Sequence, residues 1–197
     1  IKHAEEGKIV DMDESVRKDT GVKDASLRVY PISGYGNQEL LRNVIDRENP
    51  DAILHYTDPR FWEWLYQMEH EIRTNIPIFY YNIWDDLPYP MWNEPFYESC
   101  DLIMNISKQT VNIVDNVCRD KPRTEWDNTY IPHGINEDNF QIVNKNHKHW
   151  GDLLNFKRTV TQGRNYDFIV FWNNRNIRRK LPGDIIMAFK TFCDMLP

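Results

Sequence analysis

Cysteine is scarce in this sequence, and the few cysteines present are poorly spaced for a metal site or a disulfide framework. Only Cys100, Cys118 and Cys193 occur in 197 residues, and no two of them form a C-x-x-C pair. An odd number of dispersed thiols is typical of reduced, cytosolic proteins, so we expect a cytoplasmic protein without a metal site. Cys100 and Cys193 lie in apolar runs and are expected to be packing residues.

Long apolar runs are also missing. No stretch approaches the roughly 20 apolar residues that a helix needs to cross a bilayer, so we expect no transmembrane segment. The formal net charge is -6, which disfavours a nucleic-acid partner because such domains are usually basic. Apolar residues make up 41% and charged residues 27% of the chain, as in ordinary folded domains. The sequence therefore indicates a folded protein that binds neither nucleic acid nor the bilayer core.

Short apolar segments alternate with segments of helical periodicity. The predicted strands are 27–32, 52–56, 76–81, 101–106, 129–132 and 168–172. Three side chains are suited to cap the helices that follow strands or turns: Asn37, Asp58 and Ser107. Strands alternating with helices predict a parallel sheet with right-handed crossovers, which is an α/β, Rossmann-like architecture. Ligands of such sheets bind beyond the carboxyl ends of the strands.

A basic segment follows the last predicted strand. Arg175 and Lys180 stand five residues apart, with Arg178 and Arg179 between them, and Pro182-Gly183-Asp184 begins a helical run. Cations beside a helix N-terminus suit an anion such as a diphosphate. A solvated charged loop is the alternative interpretation.

A second segment, Ile131-Pro132-His133-Gly134-Ile135-Asn136 with Phe140 after it, follows the strand before. Gly134 would permit a positive φ or a close approach of backbone to ligand. An ordinary strand-to-loop turn carrying a surface histidine is the alternative.

Together these two segments resemble the hinge between the domains of glycosyltransferases with the GT-B fold. The group resembled is the retaining, glycogen-synthase/mannosyltransferase-like one (glycosyltransferase family 4-like). The resemblance implies an N-terminal acceptor-side domain over 1–140, a linker over 141–166, and over 167–197 the first βα unit of an incomplete nucleotide-sugar-binding domain. Arg175 and Lys180 would hold the donor diphosphate, and His133 and Gly134 would line the hinge.

The activity implied by this resemblance is transfer of a sugar from a nucleoside diphosphate sugar to a glycan, lipid or small-molecule acceptor. The group acts with retention of configuration, and no metal or other cofactor is expected. The cleft between the domains would hold both substrates. His133 departs from the usual Asn of the motif, and the Gly-rich loop expected after the first strand is not visible. The second domain of this group also carries a motif of two glutamates, and that motif is not recognisable here. We therefore expect a partial chain.

Acidic residues follow two predicted strands and are candidates for the acceptor side. Asp85 and Asp86 come after strand 76–81, where Asp85 could act as a catalytic base and Asp86 as an acceptor ligand. Asp58 is a further acceptor-side candidate, although the N-cap of its helix is its simpler role. Adjacent loop carboxylates are also often capping or solvated groups.

Two other interpretations remain open from the sequence. A sugar-nucleotide epimerase would use the same fold and the same diphosphate motif. The chain could also be a non-catalytic binding module, in which the incomplete second domain is the real end of the protein. The last helix, with Ile185, Phe189, Phe192 and Leu196 on one face, is expected to be covered by a partner chain, a missing segment or the first domain.

Overall fold

The computed structural model describes residues 5–167 and 169–196. The chain divides into two compact units, Ile1–Ile135 and Asn136–Pro197. The first contains all the strands of the described residues, and the described part of the second contains two helices, a 3-10 turn and irregular segments.

The first unit opens with a small antiparallel pair. Strand β1 (Val10–Asp11) pairs with β2 (Arg28–Val29), and helix α1 (Asp13–Thr20) connects them. The predicted strand over 27–32 is therefore wrong in length and in partner, because only two of its residues pair and they do not join the parallel sheet. The carboxylate of Asp13 accepts hydrogen bonds from Leu27 N and Ser26 Oγ, both at 2.8 Å, which holds this segment against α1.

The central sheet of the first unit has four parallel strands in the order β3-β4-β5-β6. The strands are β3 (Ile53–Tyr56), β4 (Ile78–Asn82), β5 (Leu102–Asn105) and β6 (Asn128–Tyr130). The helices are α2 (Gln38–Glu48) before β3, α3 (Glu63–Tyr66) and α4 (Glu69–Ile72) before β4, α5 (Glu94–Glu98) before β5, and α6 (Lys108–Val117) before β6. This confirms the α/β, Rossmann-like class predicted from the sequence.

Predicted caps begin two of these helices. Asn37 accepts a hydrogen bond from Leu40 N at 2.9 Å at the start of α2, and Ser107 accepts one from Thr110 N at 3.0 Å at the start of α6. The segment that Asp58 was predicted to cap is divided into a 3-10 turn (Pro59–Phe61), α3 and α4.

The order of the strands places the helices on one face of the sheet. Parallel strands that follow one another in sequence, joined by right-handed crossovers, have all their connections on the same side. Helices α3 to α6, which connect these strands, accordingly share one core with them, and Leu41 and Ile45 of α2 also pack against it. Its buried residues are Leu65, Tyr66, Met68, Ile72, Ile78, Tyr80, Tyr97, Cys100, Ile103, Ile113, Val114, Val117 and Cys118.

The other face of the sheet is much more accessible. Side chains alternate across a strand, so the register places Leu54, Phe79 and Leu102 in one row and Tyr56, Tyr81 and Met104 in the next. Leu54 is 59% and Tyr56 56% exposed. We call this side the open face.

The second unit contains α7 (Trp150–Thr161) and α8 (Pro182–Asp194), and no strand is formed in its described residues. The predicted strand over 168–172 is therefore not formed at 169–172, and Phe168 lies outside the described residues. A strand needs a neighbour for its backbone hydrogen bonds, and the described part of this unit offers none. Helix α8 forms as predicted, but no residue of it is buried, and Ile186 is 68% exposed.

Candidate functional site

The carboxyl ends of the four parallel strands lie along one edge of the sheet. This is the edge beyond which ligands of α/β sheets bind. The loops that leave it carry the five candidates predicted from the sequence for the first unit: Asp58, Asp85, Asp86, His133 and Gly134.

Asp58 is held by a residue two positions away. Its carboxylate accepts a hydrogen bond from Arg60 N at 3.0 Å and forms an ion pair with Arg60 Nη2 at 2.6 Å. The side-chain hydrogen bonds from Arg60 lower the pKa of Asp58, against a smaller opposing effect of burial. The guanidinium of Arg60 in turn lies 5.0 Å from the ring centroid of Trp84. Asp58 thus lies at the carboxyl edge of the sheet. Its predicted role as an N-cap is confirmed.

Asp85 and Asp86 lie in the exposed loop after β4. The backbone carbonyl of Asp85 accepts a hydrogen bond from Gln109 Nε2 at 3.3 Å, and the carboxylate of Asp86 accepts one from Leu87 N at 2.9 Å. The carbonyl of Asp86 also accepts one from Trp84 Nε1 at 3.0 Å. These contacts shape the loop at the carboxyl edge. The role of Asp85 as base and of Asp86 as acceptor ligand stays a prediction.

His133 is paired with a tyrosine that the sequence did not single out. The hydroxyl of Tyr81 donates to the carbonyl of Ile131 at 3.0 Å and lies 3.1 Å from His133 Nδ1. A tyrosine hydroxyl has one proton, so both bonds form together only when Nδ1 of His133 carries a proton and donates. A neutral His133 therefore has its lone pair on Nε2.

Desolvation, and then the neighbouring Tyr56 and Tyr130, raise the pKa of Tyr81, so its hydroxyl keeps the proton that it donates. The ring of Tyr56 lies 5.5 Å from that of Tyr81 and 6.4 Å from that of His133, and the Tyr81 and His133 rings are 5.3 Å apart. We call Tyr56, Tyr81 and His133 the Tyr-His cluster. Alternation along β4 was the available signal for Tyr81, because Ile78 and Tyr80 face the core and Phe79 and Tyr81 face away.

Gly134 lacks one of the two features for which the sequence suggested a glycine. Its φ is not in the positive region, and a Cβ added to it would meet no atom within 4 Å. The predicted positive φ is therefore wrong, whereas the predicted close approach of the backbone to a ligand stays a prediction. Its position beside His133 at the carboxyl edge is as predicted.

Buried amide side chains link three strands just beneath this edge. Asn82 donates to Asn105 Oδ1 at 3.2 Å, Asn105 donates to Asn128 Oδ1 at 2.7 Å, and Asn128 donates to Asp115 Oδ1 at 2.7 Å. Asn82 also accepts from Trp84 N at 3.1 Å, which fixes the start of the loop that carries Asp85. Sequence reasoning missed this chain, because its members come together only in the register of the sheet.

Arg175 and Lys180 both lie in the second unit, ahead of α8. Arg175 is exposed and Lys180 is half-buried. Arg178, Arg179 and Lys180 form a 3-10 turn, after which Leu181 takes a left-handed backbone conformation with φ 46° at the N-cap of α8. The cations are thus followed directly by a helix N-terminus, as the sequence predicted, although the strand expected before them is missing at 169–172. Their role in binding a diphosphate stays a prediction.

An apolar pocket lies beside that helix start. It has a volume of about 270 Å³ and is lined by Val170, Trp172, Pro182, Ile185, Ile186 and Phe189. A polar cavity of about 560 Å³ in the first unit lies instead at the amino ends of the strands, between α2 and α4. Only the first of these adjoins residues predicted to bind a ligand.

The thiols have different environments. Cys100 and Cys118 are buried, and burial raises the pKa of Cys100 to about 12, which makes its thiol unreactive. Cys193 is exposed on α8, so the expectation that it is a packing residue is not met within the described chain.

Within residues 5–167 and 169–196, no group of three or more His, Cys, Asp or Glu side chains is placed to hold a metal ion. No helix among them has the length and hydropathy to cross a membrane. Comparisons with protein-family models, curated proteins and solved structures find no match to this chain.

Proposed function

We propose that this chain contributes the acceptor side and part of the donor side of a glycosyltransferase of the retaining GT-B type. It would use a nucleoside diphosphate sugar and transfer the sugar to an acceptor without a metal. The proposal comes from the resemblance of the segments around Gly134 and Arg175, and it is compatible with the parallel sheet of the first unit. One observation carries it above others: the basic segment that leads into the N-terminus of α8.

The start of α8 is suited to an anion. Its N-cap residue is Leu181, whose side chain has no acceptor for the N–H groups of the first turn, and the side chain makes no capping hydrogen bond. Uncapped N–H groups at a helix N-terminus attract a phosphate, both by hydrogen bonding and through the helix dipole. Pro182 at the first helical position fixes the backbone there but has no N–H group, and Asp184 N donates to the carbonyl of Leu181 at 3.1 Å. The N–H group that the first turn offers to an anion is therefore that of Gly183, next to the preceding cations.

The charge distribution supports the same interpretation. The chain has a formal net charge of -6, yet Arg175, Arg178, Arg179 and Lys180 lie within six residues. A leaving nucleoside diphosphate gains negative charge as the sugar departs, and fixed cations with helix N–H groups stabilise that charge. In the retaining group resembled here, the leaving phosphate can take the acceptor's proton, so the proposal does not require Asp85 to act as a base.

Binding of a diphosphate to the 197-residue chain tests the proposal. Titration calorimetry would use UDP, GDP, ADP and inorganic pyrophosphate as probes, against inorganic phosphate as reference. Loss of one charge-assisted contact costs roughly 1.5–3 kcal/mol, so Arg175→Ala and Lys180→Ala should each weaken binding by about one to two orders of magnitude. Arg164→Ala and Lys157→Ala remove the same charges elsewhere in the second unit and serve as matched controls.

The outcomes separate the proposal from its alternatives. Equal weakening by the control variants would indicate general charge attraction instead of a site. Unchanged binding in both Arg175→Ala and Lys180→Ala would contradict the proposed diphosphate site. If a nucleoside diphosphate sugar binds through these residues, product analysis with and without added acceptor distinguishes transfer from epimerisation and from binding alone.

A further inference from the structure

The Tyr-His cluster of the first unit combines exposed aromatic rings with fixed polar atoms. Tyr56 is 56% exposed on the open face, Tyr81 is half-buried beside it, and His133 is exposed at the carboxyl edge. All three lie within the unit that ends at Ile135. We propose that this cluster is a carbohydrate-binding surface, on which a pyranose ring stacks against Tyr56 and donates a hydroxyl hydrogen bond to His133.

The chemistry of the cluster favours an uncharged ring with one apolar side. Tyrosine presents a flat apolar ring together with a polar tip, and a pyranose presents axial C–H groups on one face and hydroxyls around its edge. The cluster contains no carboxylate, ammonium or guanidinium group, so nothing within it selects a charged ligand. Few polar groups placed around an aromatic surface are typical of small-molecule sites.

The orientation of His133 is set before any ligand arrives. Its Nδ1 donates to Tyr81, whose own proton is engaged by the Ile131 carbonyl. The Nε2 atom is thereby left as an acceptor, and sugar hydroxyls are donors that suit it. The hydrogen bonds to Ile131 and between Tyr81 and His133 already fix these two side chains. Tyr81 and His133 therefore lose little rotamer freedom when a ligand binds.

This inference names the acceptor class of the proposed transferase and rests on that function for its biological role. Binding itself is independent of the donor side. Saturation-transfer difference NMR on the 197-residue chain would use methyl α-D-glucopyranoside, methyl α-D-mannopyranoside and maltotriose as probes. Saturation should be strongest at the protons of one ring face. Light scattering on the same samples would establish the oligomeric state.

The variants are chosen to separate stacking from hydrogen bonding. Tyr56→Ala should weaken glycoside binding at least tenfold, His133→Ala about fivefold, and His133→Gln less than His133→Ala because its amide retains an acceptor near Nε2. Trp126→Ala is the control, since Trp126 is 90% exposed but precedes β6, at the opposite edge of the sheet. Circular dichroism of each variant would verify that it is folded.

Several results would overturn the inference. Absence of saturation transfer to all three probes would do so, as would binding unchanged in both Tyr56→Ala and His133→Ala. A dimer that Tyr56→Ala dissociates, without glycoside binding, would show that the open face contacts a second copy instead. If glycosides bind but diphosphates do not, the carbohydrate-binding surface is supported and the proposed glycosyl transfer is rejected. If diphosphates bind but glycosides do not, only the carbohydrate-binding surface is rejected.

Discussion

The imidazole of His55 stacks on the ring of Tyr80, with centroids 5.0 Å apart and an interplanar angle of 15°. His55 is only 4% exposed, its Nδ1 lies 2.6 Å from the hydroxyl of Tyr66, and its Nε2 is buried without a hydrogen-bond partner among the described residues. Burial disfavours the charged imidazolium and lowers the pKa of His55 from 6.5 to about 4, although the charge of Asp58 opposes this.

This burial predicts a loss of stability in acid. The unfolded chain binds the proton first, because its His55 pKa is the higher one, so stability is fully present above pH 6.5 and falls as the pH drops towards 4. At pH 4.5 the loss should reach about 2–3 kcal/mol. Urea unfolding at pH 7.5, 5.5 and 4.5 would measure it.

Two variants assign that pH dependence to His55. His55→Phe removes the titrating group and should flatten the profile between pH 6.5 and 4.5, whatever its effect on stability at pH 7.5. His70→Gln is the control, because the His70 side chain is 95% exposed. A His55→Phe profile as steep as that of the parent chain would show that another group is responsible.

The buried amide chain predicts a second sensitive position. Asn105 lies between Asn82 and Asn128, and it bonds to both. Asn105→Leu would leave both neighbours with an unpaired buried group, at about 1–3 kcal/mol for each. We expect a fall of about 2–5 kcal/mol in the free energy of unfolding by urea. Asn112→Ala, an exposed amide on α6, should change it by less than about 0.5 kcal/mol.

Local patterns explain why much of the sheet could be predicted. Strands β3, β4 and β5 lie within two residues of the predicted ones, because apolar β-forming runs are bounded there by caps and prolines. The segment at 169–172 has the same apolar composition. It nevertheless forms no strand, because pairing requires a neighbouring strand and composition cannot supply one.

The contacts of the candidate site could be predicted from the sequence only where both partners lie in the same loop. The capping role of Asp58 follows from the Asp-Pro pair in the sequence, and the structure confirms it. The contact of Tyr81 with His133 joins residues 52 positions apart, and the amide chain joins residues 23 positions apart. Such pairs depend on the register of parallel strands, which periodicity does not reveal.

Asp58 offers a test that separates a structural carboxylate from an acceptor ligand. Asp58→Asn retains an oxygen that can accept from Arg60 N, whereas Asp58→Ala loses the cap. Loss of a cap costs about 0.5–2 kcal/mol, so Asp58→Ala should lower the melting temperature and Asp58→Asn should change it less. If glycoside binding also falls strongly in Asp58→Asn while its stability is kept, the carboxylate has a direct role in binding.

We expect removal of the charge of Asp184 to increase the affinity of the chain for pyrophosphate. Asp184 stands in the first turn of α8, where its negative charge competes with an anion for the helix N-terminus. Asp184→Asn should therefore strengthen pyrophosphate binding about two- to fivefold, equivalent to roughly 0.3–1 kcal/mol. Asp194→Asn, at the other end of the helix, is the matched control. Calorimetry at low and high salt would measure both, and an increase that is equal in the two variants would point to net charge alone.

Helix α8 should exchange its amide protons much faster than α6. Four residues of α6 are buried, Thr110, Ile113, Val114 and Val117, whereas none of α8 is. Helical stability comes mostly from packing an apolar face, so an unpacked helix opens easily. Hydrogen exchange with mass spectrometry should therefore give α8 protection at least a hundredfold lower than that of α6.

Equal protection of α8 and α6 in a sample shown by light scattering to be monomeric would contradict this prediction. Protection that rises with protein concentration would identify a second copy as the partner that covers Ile185 and Phe189.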